Sequence, residues 1–460
     1  MSSVWKFYKR AVEGEDRREY ATCKFCTKSF KIPRSKTTSN LLSHLNKCHK
    51  SEMEQSSEDN QNGTDTGVSQ QKLEDVFKRK LNSRVKHTLD RKLVTFIAKS
   101  AVPLNIAAED YFKDFISELN PGYTVPCPKT LLSLMKAEVE SIDETNKKIF
   151  CKGGVQIAIT ADGWSSKNSS SSLLAVTGHA LSADFSVRKD VILDVIPMEE
   201  ESKTAAVVAD KIRECLARLD IPPNSISFLI ADGATVMSRA AFELDIEYMH
   251  CCAHIVNLAV RASLELDTVR EPLKIVKRVA AKLNRSGKLK NMFKRFLKEE
   301  SLQMTLPMTD SPTRWSSTYY MICDFLNTLP AVEKLLEFLR CSPLEDNEIR
   351  LLKAIRVFLE PFQTMTKQVC YQSACISMYI PVGKALITTT EGNLENARKE
   401  AAAFGECLLL KTKAYFEEFF ENRSLQFATL CDARFAYLET VFTKEKWNEI
   451  SDDFINCRCT

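Results

Sequence analysis

Four side chains near the start of the chain have the types and spacing of a metal-binding set. Cys23 and Cys26 stand as C-x2-C, and after seventeen intervening residues His44 and His49 follow as H-x4-H. Two thiolates from a tight turn and two imidazoles from a helix would complete the closed tetrahedral shell that zinc prefers. Such a shell leaves no open position for chemistry, so the expected role of the ion is structural. Cys48 could replace His49 as the fourth ligand. The segment SNLLSHLNKCHK reads as the helix that carries the histidines, with Leu41, Leu42 and Leu45 expected to face a minimal core. A segment this short cannot hold itself together well, and zinc binding of about 10–16 kcal/mol would supply the missing stability.

A second set is sparser. Asp162 is expected to end a strand in AITADGW, and Asp232 to end another in FLIADGA. If those strands are neighbours, the two carboxylates leave the sheet side by side, an arrangement that divalent metals use in phosphoryl transfer. Asp before Gly is also a frequent turn pair, so these residues alone leave both readings open.

Residues 3 to 50 resemble the BED-type zinc finger. The resemblance rests on the aromatics within VWKFY, the C-x2-C pair, a Lys/Arg/Ser/Thr stretch, and an N-L-x-x-H-L helix that ends in a second histidine. It implies a zinc cofactor, binding to double-stranded DNA and a nuclear address. The residues implied to face the duplex are Arg34, Lys36, Thr37, Ser39, Asn40 and Ser43. Lysines and arginines neutralise phosphates, while Arg34 and Asn40 are chemically suited to base edges in a major groove.

Further motifs follow in order: TADGWSS at 160–166, VTGHA at 176–180, ADGATVM at 231–237, Cys251 and His254 as C-x2-H before Asn257-Leu258, and TRWSSTYYM at 313–321. Together with PGYTVPCPKTL at 121–131 and LCDARF at 430–435, they resemble the hAT-superfamily transposases. That resemblance implies an RNase H-like fold interrupted by a long helical insertion. It makes Asp162 and Asp232 two members of an Asp-Asp-Glu triad that would take Mg in an active enzyme. It assigns Arg314 and Trp315 to DNA contact, although a tryptophan there could equally be core packing. Cys251 and His254 are the family's C-x2-H pair, or else a buried thiol and an internally hydrogen-bonded imidazole.

Departures from the family pattern bear on activity. Gly233 and Val236 stand where the family has asparagines, and no E-R-x-F-S motif supplies the third carboxylate. The dimer-building segment that accompanies that motif is also expected to be absent, although a homodimer stays open. The expectation is therefore a DNA-binding nuclear factor or transcription regulator of transposase origin, not an enzyme. The alternative is a metal-dependent cut-and-paste transposase represented by a truncated chain.

Composition frames these sites. With 44% hydrophobic and 27% charged residues, 13 Gly and 15 Pro, the 460-residue chain reads as an ordinary multidomain globular protein. No apolar run approaches the roughly 20 residues that span a bilayer, and no secretory signal opens the chain. Residues 1–50 hold 12 Lys/Arg and 4 Asp/Glu, whereas residues 51–70 hold five acids and no base. The first segment suits a polyanion, and the second reads as a flexible acidic linker.

The expected fold class is multidomain α+β, with a zinc finger over 1–50, the linker over 51–70 and a helical domain over 71–150. An RNase H-like α/β core follows over 151–265, then an all-helical insertion region over 266–460. Within the core the patterns predict three strands, a helix capped by Ser202 or Thr204, and a buried strand at SISFLIAD. Nearly everything between Ala234 and Glu421 reads as helix.

Overall fold

A short 3-10 helix, Ser3–Phe7, leads into an antiparallel sheet of β1 (Tyr8–Glu13), β2 (Arg18–Cys23) and β3 (Ser29–Lys31), followed by α1 (Ser39–Cys48). These elements come from a computed structural model that describes residues 3–13, 18–32, 38–49, 81–150, 156–166, 171–182, 186–198, 203–311, 314–371 and 373–457. The expected linker at 51–70 lies outside the described residues, as does Ser202. The chain divides into two units, Met1–Val139 and Glu140–Thr460.

In the first unit, α1 lays Leu41 and Leu45 on a small core with Val4, Tyr8, Ala21 and Cys23. Leu42 was expected there too but is exposed. A residue one position from Leu41 sits about 100° around the helix, whereas Leu45, four positions on, returns to the same face. The Tyr8 hydroxyl donates to the Leu41 carbonyl at 2.9 Å and ties strand to helix. The same unit contains α2 (Ser83–Lys99), α3 (Asp110–Leu119) and the start of α4 (Pro128–Phe150). Val94, Ile97, Ala107 and Leu131 form a separate core there. Tyr123, from the PGYTVPCP interruption, donates to the buried Asp90 carboxylate at 2.7 Å.

The second unit is built on β4 (Ile157–Ser165), β5 (Ser172–Leu181) and β6 (Arg188–Pro197), then α5 (Ala205–Arg218), β7 (Ile226–Ala231), α6 (Thr235–Glu243) and β8 (Glu247–His250). The sheet order is β6-β5-β4-β7-β8, antiparallel between β6, β5 and β4 and parallel from β4 through β7 to β8. The fold is thus multidomain and helix-rich with one mixed sheet. Thr204 caps α5, its hydroxyl accepting from the Val207 amide. Along β5 buried and half-buried side chains alternate, the period-2 signature that made it readable.

β8 was not expected, because the stretch after Ala234 reads as helix. Four residues are too few to establish a period, and the apolar and polar residues of EYMH suit either state. The helices that follow are α7 (Cys252–Leu264), α8 (Asp267–Arg285), α9 (Gly287–Glu299), α10 (Trp315–Asn327), α11 (Leu329–Phe338), α12 (Asp346–Val369), α13 (Tyr379–Glu395), α14 (Lys399–Glu421), α15 (Arg423–Leu430) and α16 (Lys444–Cys457). They share one core that runs from Met249 through Phe325 and Phe404 to Trp447 and Ile450. No described helix is long and apolar enough to cross a membrane.

Candidate functional site

The first site forms where β2 ends. Cys23 is its last residue and Cys26 closes the turn beyond it, pinned by the Cys23 amide donating to the Lys28 carbonyl at 2.9 Å and the Thr27 amide donating to the Cys23 carbonyl at 3.0 Å. Thr27 accepts a left-handed backbone, φ 57°, to make that turn. From the other side, α1 presents His44 one turn before its end, and His49 sits at its C-cap, where its amide bonds to the Leu45 carbonyl. One donor atom from each of Cys23, Cys26, His44 and His49 lies within 4.8 Å of the other three. Bond lengths of 2.0–2.3 Å give a zinc tetrahedron edges of roughly 3.3–3.8 Å. The Cys26 Sγ to His44 Nε2 separation, 3.3 Å, is already one such edge.

The surroundings suit a structural ion. Cys23 and His49 are buried, Phe30 lies 4.7 Å from the His44 ring, and the two histidine rings are 5.1 Å apart. Desolvation, then the neighbouring His49 charge, lowers the His44 pKa and favours the neutral imidazole that a metal requires. The donor set is two sulfurs and two nitrogens with no carboxylate, which selects zinc over magnesium or calcium. Cys48 is exposed and falls outside the cluster.

Ser39, Asn40 and Ser43 lie exposed on the outer face of α1. Arg34, Lys36 and Thr37 lie outside the described residues.

The second site is less complete. β4 and β7 run parallel with Ala161 opposite Ala231, so Asp162 and Asp232 follow at one edge of the sheet. Asp162 does not end its strand, contrary to expectation. β4 continues to Ser165, with Asp162 paired to Ala175 of β5, because β5 is longer than β7 and carries β4 past it. The Asp232 side chain accepts from the Ala234 amide at 3.2 Å, and its carbonyl accepts from the Tyr248 hydroxyl at 2.6 Å. Among the described residues, the finger quartet is the one group of three or more His, Cys, Asp or Glu donors close enough to share an ion.

Two neighbours of this edge, Tyr248 and His250, were not singled out by sequence. His250 ends β8 with its ring 5.3 Å from that of His254, and burial followed by the His254 charge lowers its pKa. Tyr248 is pushed up to about 12 by burial, then by the charges of Asp232, Cys251 and Glu418. Burial is also the leading cause of the raised Cys251 pKa. The strand β8 that carries the first two of these residues was the element hidden from the periodicity, so no signal pointed to them.

Two distant motifs meet beside α7. The Asn257 side chain accepts from the Trp315 amide at 3.2 Å. Asp310 accepts from the Thr318 hydroxyl at 2.6 Å and from Lys277 at 2.8 Å, fixing the start of α10. Arg314 is exposed at the α10 N-cap, but Trp315 is only 2% exposed and belongs to the helical core. The DNA contact assigned to Trp315 is therefore corrected: its ring packs inward, and a base could reach it only if the core opened.

The model of the BED zinc finger family matches residues 2–50, and that of the ZBED1 RNase-like helical domain matches residues 249–344. Over these segments the chain is similar to BED zinc finger proteins and to hAT-superfamily transposases. The BED protein named zinc finger BED domain-containing protein 4, from Homo sapiens, is 22% identical over 80% of this chain and 32% of its own length. A "Putative transcriptional regulator tpeD" from Talaromyces stipitatus is 24% identical over 50% of this chain and 31% of its own. A "Putative AC transposase" from Zea mays is 24% identical over 73% of this chain and 43% of its own. The chain thus spans between 31% and 43% of the length of these relatives, and the BED finger match lies within its first fifty residues.

Proposed function

We propose that the protein is a zinc-dependent DNA-binding factor of transposase origin that acts in the nucleus, as a transcription regulator. The observation that carries this reading is the convergence of Cys23, Cys26, His44 and His49 to within 4.8 Å at the base of α1. One ion there locks the helix to the turn and holds the exposed face of Ser39, Asn40 and Ser43 in fixed register. The basic first fifty residues supply attraction to phosphates, and the family resemblance assigns Arg34, Lys36 and Thr37 to the same contact. The names of the fungal regulator and the maize transposase support the two halves of this reading.

The mixed sheet is read as an RNase H-like core kept mainly as scaffold. Its strand order and directions support that, as do the adjacent positions of Asp162 and Asp232. Mg would matter only if that edge cleaves DNA, the reading in which the protein is a transposase. The domain division into finger, linker, helical domain, core and helical insertion belongs to the same proposal.

One experiment separates the two readings. Duplex affinity of the full chain is measured with zinc, with a chelator, and after replacing Cys26 by Ser or both Asp162 and Asp232 by Ala. The factor reading expects chelation and Cys26→Ser each to weaken binding at least tenfold, with the double aspartate variant unchanged. Affinity indifferent to zinc would refute it, and metal-dependent cleavage lost in the aspartate variant would favour the enzyme.

A further inference from the structure

The net charge of +4 conceals a second basic region more than two hundred residues along the sequence from the finger. Between Lys274 and Lys298 the chain carries ten Lys and Arg and not one Asp or Glu. This stretch is α8 and α9, consecutive helices that pack on each other and are joined through Ser286, which caps α9 by accepting from the Leu289 amide. α8 turns Leu273, Val276, Ala280 and Leu283 into the core, and α9 turns Met292, Phe293 and Leu297 inward. The charged positions are what remains for solvent. Lys274, Arg278, Lys282 and Arg285 recur at helical spacing along one side of α8, and Lys288 continues beyond the corner, all five exposed.

Two features distinguish this surface from an ordinary solvated face. Other helices pair opposite signs, as where Lys446 meets Glu449 on α16 and Lys413 of α14 meets Glu391 of α13. Here Lys274–Arg278–Lys282 and Lys290–Lys294–Lys298 are runs of like charge at i,i+4, a spacing that destabilises a helix. Moreover, among the described residues only Lys274 and Lys277 of the ten have an acidic partner, Glu271 at 2.6 Å and Asp310 at 2.8 Å. A surface that concentrates one sign against its own helical stability, with an acidic partner for only two of its ten cations, suits an external polyanion.

We propose that the α8–α9 hairpin is a second nucleic-acid site, which binds the phosphate backbone of duplex DNA without reading sequence. This inference rests on the reading of the protein as a DNA-binding factor and adds a contact that does not use the finger. From Lys274 to Arg285 the helix rises about 16 Å, over which a duplex carries roughly ten phosphate charges. The helices are held by a shared core, so the charges are presented on a rigid element. Point charges without aromatic platforms favour double-stranded backbone over stacked single strands.

The test uses the full chain and a variant with Arg278, Lys282, Arg285 and Lys288 replaced by Gln. All four are exposed and Gln keeps helix propensity and length, and an unchanged circular dichroism melt verifies the fold. Affinity for a mixed-sequence duplex is measured across a salt series, with zinc and with chelator. The chelated parent chain should retain weak binding with a steep salt dependence, and the variant should lose it roughly tenfold or more, with the slope of log affinity against log salt falling by about three to four. With zinc present, the variant should show the same fall in slope while keeping zinc-dependent binding. Equal affinity and slope for parent and variant in both states would overturn the hairpin site while leaving the finger untouched. Zinc-independent affinity in both chains would instead count against the finger. Stronger and variant-sensitive binding of single-stranded RNA would overturn the assignment to duplex DNA.

Discussion

Gly233 occupies a place where any side chain would have to share space with an imidazole. A Cβ built there lies 2.5 Å from Cε1 and 2.6 Å from Nε2 of His250. The family asparagine missing at this position is thus replaced by a packing arrangement in which the histidine fills the gap. Gly233→Ala is expected to destabilise the second unit by about 1–3 kcal/mol, measured by denaturant unfolding. In a His250→Ala background the same substitution should cost only a few tenths of that range, and an undiminished cost would show that the ring is not the obstacle. Asp432 of LCDARF gives a second residue-level expectation. Bonds donated by Arg434 and by Ser377, the latter at 2.6 Å, hold its carboxyl down at about 2, against the ordinary 3.8. The folded state therefore favours the ionised form, and the stabilisation is complete above pH 4 and lost as pH falls toward 2. It is on the order of 2 kcal/mol. Asp432→Asn should remove this acid-dependent loss, and an identical pH profile would contradict it. The quartet of the finger was legible in sequence because ligand spacing is dictated by coordination geometry. Trp315 was not, since a tryptophan beside an arginine has the same letters whether it stacks on a base or fills a core.

At the scale of elements, α1 has to serve as core, ligand carrier and the face proposed to meet DNA at once, and its period divides these tasks. Leu41 and Leu45 go inward, His44 and His49 go to the cluster, and Ser39, Asn40 and Ser43 face solvent. Leu45→Ala should cost about 2–4 kcal/mol of finger stability, because its side chain is fully buried. Folding and metal binding are linked here, so the same substitution should weaken zinc affinity by a comparable free energy in a chelator competition. Leu42→Ala should leave that affinity nearly unchanged, and equal losses for the two would show that the helix face has been misassigned. The strands of the second unit were legible for the same reason: β5 alternates over ten residues and β7 is a short apolar run. Legibility failed at β8, which is four residues long, and at the end of β4. There pairing to β5, a long-range fact, extends the strand past Asp162.

Across the molecule, charge is organised into blocks. The finger segment is basic, the segment after it is acidic, and α8–α9 concentrate positive charge within a remainder that is otherwise acidic. The zinc cluster is separate from the large helical core and from the sheet, so metal removal should unfold the finger and leave the second unit standing. The most direct measurement therefore titrates zinc into the metal-free full chain while following duplex affinity in the same samples. Salt is held at about 0.2 M to screen the phosphate attraction of other basic surfaces. The account predicts that affinity rises with zinc and saturates at one ion per chain, and that Cys26→Ser abolishes the rise. Duplex affinity that is already full without metal, or that climbs with zinc equally in the Cys26→Ser variant, would contradict it.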